Sequence, residues 1–117
     1  KEMLNSPKWK DQYSFFKSNK YLEPSWFSLP LLINKKYIRK KSSFLQYLKN
    51  KKVESRPIIS GNFVNQPCIA LHKIKYNKKN LKNSEEIDKR GFFIGLPTKP
   101  LKKSTLQTLV SVLLDLK

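Results

Sequence analysis

The stretch from residue 53 to residue 67, VESRPIISGNFVNQP, combines an arginine, a sharp turn and amide side chains within a short distance. The proline after Arg56 forces that residue into an extended backbone and removes one N–H, which indicates an edge strand or a strand end. Gly61 can take a positive φ at the break, and Asn62 tolerates one. A guanidinium followed by the amides of Asn62 and Gln66 could face an anion or a sugar. The alternative is an ordinary strand-to-loop exit with polar surface residues.

The other chemistry-bearing residues do not assemble a site by their spacing. His72 and Cys68 offer at most two soft ligands, too few for zinc, and Cys68 has no histidine or acid pattern around it that would make it a nucleophile. The sequence has no glycine-rich phosphate loop. Glu85, Glu86 and Asp88 are better explained as the acidic first turn of a helix than as paired catalytic carboxylates. We therefore predict no catalytic residue and no metal site in this chain.

Length and composition indicate one globular domain. The chain has 117 residues, of which 38% are apolar and 12% aromatic, enough for a modest core. No apolar run approaches the roughly 20 residues of a membrane span, so we expect no membrane association. The single cysteine excludes an internal disulfide and suits a reducing cytoplasm. Because the first residue is Lys1 and no signal peptide is present, we expect an excised or truncated piece of a longer protein.

The net charge of +17 allows two interpretations. A small basic nucleic-acid-binding protein would carry such a charge. However, the cations are almost all lysines spread from end to end, and the arginines that make bidentate contacts to phosphates and guanines are scarce. A coding bias toward A and T would produce the same Lys-, Asn- and Ile-rich profile. We favour composition over a specific nucleic-acid function, with weak attraction to polyanions at low salt.

Apolar runs and helix signals predict an α/β fold, more narrowly α+β, with a small sheet of about three strands flanked by helices. Residues 11–17 could form one or two helical turns, and Pro67 could begin another. Pro30 should lie at an edge or a bulge. The predicted strands cover 25–33, 53–59 and 92–96, and the predicted helices cover 42–51, 84–89 and the leucine-rich segment from 104 onward.

Two helix starts carry recognisable capping patterns. Asn83 followed by acidic residues predicts an N-cap for the helix at 84–89, with Gly91 ending it. The residues 104–107, Ser-Thr-Leu-Gln, form a capping-box pattern at the start of the last helix.

Three motifs, in order and at suitable spacing, resemble one known family. The motifs are PSWF at 24–27, ESRPI followed by SGN and QP between 54 and 67, and GFFIG at 91–95 before the leucine-rich helix. Together they resemble the C-terminal part of the DegT/DnrJ/EryC1/StrS family of PLP-dependent sugar-nucleotide aminotransferases. The branch most similar to them comprises the 3-dehydratases of 4-keto-6-deoxy sugar nucleotides.

The resemblance implies that residues 24–117 form the C-terminal small domain of a fold-type-I PLP enzyme and that residues 1–23 connect it to a large PLP-binding domain absent from this chain. The implied reaction is 3-dehydration of a nucleotide-linked deoxysugar for surface polysaccharide (lipopolysaccharide) synthesis, with transamination as the alternative. The cofactor would be pyridoxal 5'-phosphate, held mainly by the large domain. The resemblance also implies a homodimeric parent and leaves open an iron–sulfur cluster in it.

The resemblance also implies roles for individual residues. Arg56 would donate to a phosphate or carboxylate of the nucleotide sugar, and Asn62 and Gln66 would contact sugar or phosphate oxygens, with Gly61 in the bend between them. One departure is Lys52, where relatives often carry a glycine that ends the helix.

Overall fold

A four-stranded antiparallel sheet in the order β1-β2-β4-β3 forms the centre of the molecule. The computed structural model describes residues 9, 11–16, 20–21, 23 and 25–117, so Pro24 of the PSWF motif lies outside the described residues. The strands are β1 Tyr13–Phe15, β2 Ser28–Ile33, β3 Ser55–Arg56 and β4 Gly91–Gly95. The predicted α+β class is confirmed, with one strand more than the three expected.

Four α-helices and three short 3-10 helices accompany the sheet in the described part of the chain. The α-helices are α1 Lys41–Asn50, α2 Pro67–Leu71, α3 Lys82–Arg90 and α4 Lys103–Leu114. The 3-10 helices are Lys35–Lys40, Phe63–Asn65 and Lys78–Leu81. The predicted helical turn with Pro67 in its first turn is confirmed as α2.

Strand β1 corrects the helical turns expected at residues 11–17, of which residues 11–16 are described. Tyr13 and Phe15 alternate with the exposed Ser14, a period of two that is typical of a half-buried strand. Tyr13 pairs with Ile33 and Phe15 with Leu31 on β2. The rings of Tyr13 and Phe15 therefore pack within this chain.

The core lies on one face of the sheet. Alternate residues of the two central strands point to this face, because Leu29 pairs with Ile94 and Leu31 with Phe92. α1 and α4 cover them with apolar side chains at helical spacing. The buried cluster comprises Tyr13, Leu29, Leu31, Ile33, Phe44, Leu48, Phe92, Ile94, Leu113 and Leu116.

Tyr13 connects β1 to both covering helices. Its ring lies 6.3 Å from the ring of Phe44 on α1 and 6.3 Å from that of Phe92 on β4. Its hydroxyl donates to the carbonyl oxygen of Leu113 on α4 at 2.6 Å. Burial raises the pKa of Tyr13 far above its usual range, so this tyrosine stays a hydrogen-bond donor at any physiological pH.

Strand β3 is shorter than the predicted 53–59 and lies at the edge of the sheet, as Pro57 requires. It contributes only Ser55 and Arg56, which pair with Ile94 and Phe93. Pro30 pairs with Phe93 on β4, while the β1 pairing ends one residue later at Leu31. One side of β2 is thus free of β1 at the proline.

The two predicted N-caps are wrong, although both helices exist. α3 begins at Lys82, because the preceding 3-10 helix runs directly into it, and Asn83 lies inside. α4 begins at Lys103 after the extended Lys102, so Ser104 is already helical, and its carbonyl oxygen accepts from the Thr108 hydroxyl. Gly91 follows the last residue of α3, as predicted.

Two helices end with a lysine in the left-handed conformation, where glycine is the usual residue. After α1, Lys52 has φ 60°, its N–H donates to the Lys49 carbonyl, and the Val53 N–H donates to the Leu48 carbonyl. After α2, Lys73 has φ 49° and the same pair of bonds follows. Both ends are Schellman motifs, and the glycine that the family resemblance implies at position 52 would match this backbone.

Replacing Lys52 with glycine should therefore stabilise the protein. A non-glycine residue in the left-handed region costs about 1–2 kcal/mol, part of which the larger backbone entropy of glycine offsets. We expect Lys52→Gly to raise the free energy of unfolding by about 0.5–1 kcal/mol in urea denaturation. The neighbouring Lys51, at φ −82°, is the control, and Lys51→Gly should destabilise; a loss of stability in Lys52→Gly would contradict this assignment.

Arg90 joins the end of α3 to the end of β2. Its Nε donates to the Ile33 carbonyl oxygen at 2.7 Å, and its Nη1 donates to the Glu86 carboxylate one turn earlier. Its side chain is only 10% exposed, so a partner must satisfy this charge. This contact fixes the end of α3 relative to the end of β2.

Removing this guanidinium should destabilise the fold. Arg90→Met keeps most of the apolar stem but leaves the Ile33 carbonyl without its charged donor, and we expect a loss of about 2–3 kcal/mol in the free energy of unfolding. The exposed Arg39 provides the control, since Arg39→Met should stay within about 0.5 kcal/mol of the parent. Equal losses in the free energy of unfolding for the two substitutions would show that the contact of Arg90 with the Ile33 carbonyl does not stabilise the fold.

Candidate ligand cleft

Arg56 lies on the face of the sheet opposite the core, in an open cleft of about 500 Å³. It pairs with Phe93 on β4, and paired residues of antiparallel strands point to the same face. Gly95, further along β4, would have no atom within 4 Å of an added Cβ, so the cleft is open at that end. The lining residues are Phe27, Glu54, Arg56, Pro57, Ile59, Phe93 and Gly95.

The walls of the cleft are mostly apolar and strongly exposed. Phe27 is 68% exposed and Ile59 72%, although large apolar side chains are normally buried. The rings of Phe27 and Phe93 meet edge to face at 5.8 Å. Small-molecule sites combine apolar walls with a few polar groups, and this lining contains both.

Glu54 holds the Arg56 guanidinium at the rim of this cleft. Arg56 donates to Glu54 Oε1 from Nε at 2.9 Å and from Nη2 at 2.6 Å. Both side chains are about two-thirds or more exposed, at 67% and 73%, so the pair contributes little to stability and an anion could displace the carboxylate at small cost. Sequence reasoning missed Glu54, although residues two positions apart on an extended segment share a face, which is the signal that would have found it.

The bend after Arg56 is a β-turn closed by the Gly61 N–H donating to the Ile58 carbonyl oxygen. Ser60 has φ 62° and Gly61 φ 48°, so the positive φ expected for Gly61 is confirmed and Ser60 shares it. Asn62, at φ −95°, does not. Asn62 begins the 3-10 helix Phe63–Asn65, its carbonyl accepting from the Asn65 N–H.

The predicted site residues occupy two places. Arg56 lines the cleft, whereas Gly61, Asn62 and Gln66 do not. Asn62 is only 6% exposed, so contact with a ligand would require the bend to open. Gln66 is exposed, and its Nε2 lies 3.4 Å from the Ser60 carbonyl oxygen. The roles of these residues toward a ligand stay predictions.

The lysines contribute nothing to the lining of the cleft. Lys41 instead donates to the Asp88 and Lys89 carbonyl oxygens at the end of α3, at 3.3 and 3.0 Å, and burial lowers the pKa of Lys41. Within the described ranges, no group of three or more His, Cys, Asp or Glu side chains could hold a metal ion. Nor is any helix among these residues long and apolar enough to cross a membrane.

Known proteins are similar to this chain in sequence and in fold. The GDP-4-keto-6-deoxy-D-mannose 3-dehydratase of Escherichia coli O55:H7 (strain CB9615 / EPEC) is 30% identical over 87 residues. A solved structure of the E. coli GDP-4-keto-6-deoxy-D-mannose-3-dehydratase with bound hydrated PLP superposes with a TM-score of 0.75 at 29% identity. The predicted resemblance to PLP-dependent sugar-nucleotide 3-dehydratases is confirmed. No family model matches the chain.

The shared region is a small part of these relatives. The sequence match covers 68% of this chain and 22% of the dehydratase. The structural match covers 95% of this chain and 28% of the solved one. The chain therefore spans about a quarter of the length of the proteins it resembles, in a region that includes nearly all of the fold described above.

A PLP site does not fit the cleft residues alone. The cofactor needs a lysine for its imine or a residue replacing it, an acid at the pyridine nitrogen and donors for its phosphate. The cleft offers Arg56 as an anion donor and Glu54 as an acid already paired with it, but no lysine. Its residues are suited to hold an anionic ligand against apolar walls, and they do not supply the reactive groups of the cofactor.

The exposed Glu54–Arg56 pair predicts how this cleft responds to an anion. Because pyrophosphate must displace Glu54, Glu54→Gln should strengthen its binding to the protein about two- to fivefold. Arg56→Gln should weaken it about tenfold, since a charged hydrogen bond is lost. Isothermal titration calorimetry at fixed ionic strength measures both changes.

The control is the exposed Lys75, which lies outside the cleft lining. Lys75→Gln removes the same charge as Arg56→Gln, so it reports the effect of the overall charge of +17. If the two variants weaken pyrophosphate binding equally, the overall positive charge holds the anion, and the cleft has no specific role.

Proposed function

We propose that this chain is the C-terminal small domain of a PLP-dependent enzyme that removes the 3-hydroxyl group of a 4-keto-6-deoxy sugar nucleotide. The observation that supports this most is the likeness to the GDP-4-keto-6-deoxy-D-mannose 3-dehydratase over 95% of the chain in fold at 29% identity. Residues 24–117 would be the domain itself. β1, from the preceding segment, completes its sheet.

The contribution of this domain would be binding and orientation. Arg56 would donate to a phosphate of the nucleotide sugar, and the pair with Glu54 would hold its guanidinium at the rim until the ligand arrives. Phe27, Phe93 and Ile59 would exclude water from the ligand. Gln66 could reach sugar or phosphate oxygens from the loop, whereas the buried Asn62 would support the bend.

PLP, when bound by the parent enzyme, supplies the electron-accepting ring that makes loss of a sugar hydroxyl feasible. The lysine-free cleft indicates that the cofactor would be held mainly by residues outside this chain. An iron–sulfur cluster is not part of the proposal, because nothing in the described residues or in the names of the relatives supports one.

Several finer points stay predictions. Transamination as the alternative reaction, a role in lipopolysaccharide synthesis and a homodimeric parent are implied by the resemblance, and a cytoplasmic location is the expectation from the single cysteine. The rival interpretation as a nucleic-acid-binding protein gains nothing from the cleft, whose single cation is already paired with a carboxylate.

The proposal is tested on the full-length natural polypeptide purified with PLP. We expect absorbance of the bound cofactor in the near-ultraviolet and visible range. Because replacing the 3-hydroxyl group by hydrogen is a two-electron reduction, an amino acid is supplied as the amino donor, and conversion of GDP-4-keto-6-deoxy-D-mannose to a 3-deoxy product with release of ammonia is followed by mass spectrometry. Arg56→Gln should lower kcat/KM about 10- to 100-fold, the value of one charged hydrogen bond. Lys75→Gln should stay within about twofold.

Each result separates the candidates. A product that carries an amino group on the sugar would identify an aminotransferase instead. Absence of both cofactor absorbance and turnover of any nucleotide keto-sugar would refute the proposed enzyme class.

A further inference from the structure

The turn Ile58–Gly61 is clamped at its first and last residues by α3 and the start of β4. A Cβ on Gly61 would lie 2.0 Å from Asp88 Oδ1, so this carboxylate lies directly against the Gly61 backbone. A Cβ on Gly91 would lie 2.7 Å from Ile58 Cδ1, so the Ile58 side chain lies against Gly91. Neither contact leaves room for a side chain at either glycine.

The Asp88 carboxylate also holds the other side of the bend. Its Oδ2 accepts from Asn65 Nδ2 at 2.9 Å, and the Asn65 N–H donates to the Asn62 carbonyl oxygen. One carboxylate thus connects the β-turn that precedes Asn62 to the 3-10 helix that follows it. Asn62, between them, is buried.

The clamped backbone is strained. Ser60 has φ 62° in addition to the φ of 48° at Gly61, and the third position of this turn normally prefers glycine. A strained conformation persists only where the surrounding structure determines it, and such positions concentrate at functional sites. Asp88 is the polar part of that surrounding structure.

The contacts of Asp88 and Gly91 with the turn affect the cleft, because residues of the turn line it. Ile59 belongs to the turn and Pro57 precedes it, and both line the cleft beside Arg56. If the turn shifts, this wall shifts with it. The position of the wall therefore depends on a carboxylate that does not line the cleft.

We propose that Asp88 is a positioning residue for the substrate cleft, acting through Gly61 and Asn65 without touching the ligand. The inference rests on the proposed function, because it assumes that the cleft holds the nucleotide sugar. It adds a residue on α3 to a site formed by the strands and the loop.

The test uses the full-length natural polypeptide with GDP-4-keto-6-deoxy-D-mannose as substrate. Asp88→Ala should raise KM about five- to tenfold and leave kcat within about twofold, since a misplaced wall weakens binding and leaves the reacting groups in place. Asp88→Asn keeps the shape and an acceptor for Asn65, so it should restore KM to within about twofold of the parent. Glu85→Ala, an acid on the same helix paired with Lys89, is the matched control and should change neither constant.

A double variant tests the contact itself. Gly61→Ala inserts a Cβ against Asp88 and should raise KM, and part of this increase should disappear in the Asp88→Ala background, where the carboxylate is absent. The effects of the two substitutions on KM should therefore not multiply. In ¹⁵N–¹H spectra, the amide signals of Gly61 and Asn62 should shift in Asp88→Ala and return in Asp88→Asn.

The failures of the two proposals are distinguishable. If Arg56→Gln impairs turnover while Asp88→Ala leaves KM unchanged, the role of Asp88 is refuted and the proposed function stands. Equal KM values for Asp88→Ala and Asp88→Asn would likewise refute it. If the parent polypeptide turns over no nucleotide keto-sugar, both proposals fall.

Discussion

The alternation of side chains along β4 determines the rest of the structure. Phe92 and Ile94 point into the core, where Leu31 and Leu29 of β2 face them, and Phe93 points to the other side. Because the side-chain period of a strand is two, a slip of one residue would exchange these faces and expose the core. The register that buries the core therefore also places Phe93 beside Arg56 in the cleft.

The end of α3 provides the second constraint, since three contacts converge there. Arg90 donates to the carbonyl oxygen at the end of β2, Asp88 holds the bend after β3, and Lys41 of α1 donates to the last carbonyls of the helix. Each contact pairs a charge with a backbone or amide group, which is a stronger bond than one between neutral groups. The apolar core orients the sheet and helices, and these polar contacts set the loop relative to the sheet.

Much of the fold was predictable from the sequence, because local patterns of apolar residues indicate most of its strands and helices. The apolar runs at β2 and β4, the helix at α1 and the end of α3 at Gly91 were all correctly predicted. β1 was missed because Lys and Asn residues around three aromatic residues obscure a period of two. The N-caps of α3 and α4 were misplaced because a 3-10 helix and an extended lysine, neither of which has a strong sequence signal, decide where those helices begin.

The candidate site was predictable at Arg56 and less so elsewhere. Its proline fixed the edge position, and the edge strand then brought the arginine next to Phe93. The pairing with Glu54 follows from strand geometry, but the burial of Asn62 and the contact of Gly61 with Asp88 are tertiary. The contact joins position 61 to position 88 on α3, and no local pattern reports either feature.

The positions of individual lysines bear on the meaning of the high net charge. Lys52 and Lys73 occupy left-handed helix ends where a glycine would relieve strain. Lys41 is partly buried against carbonyl oxygens, and the cleft contains no lysine. A chain selected for polyanion binding would gain from cations on one exposed face, not from lysines at strained helix ends. The placement of these three lysines therefore favours a general lysine-rich composition over a polyanion-binding face, and Arg56 is the cation in the cleft lining.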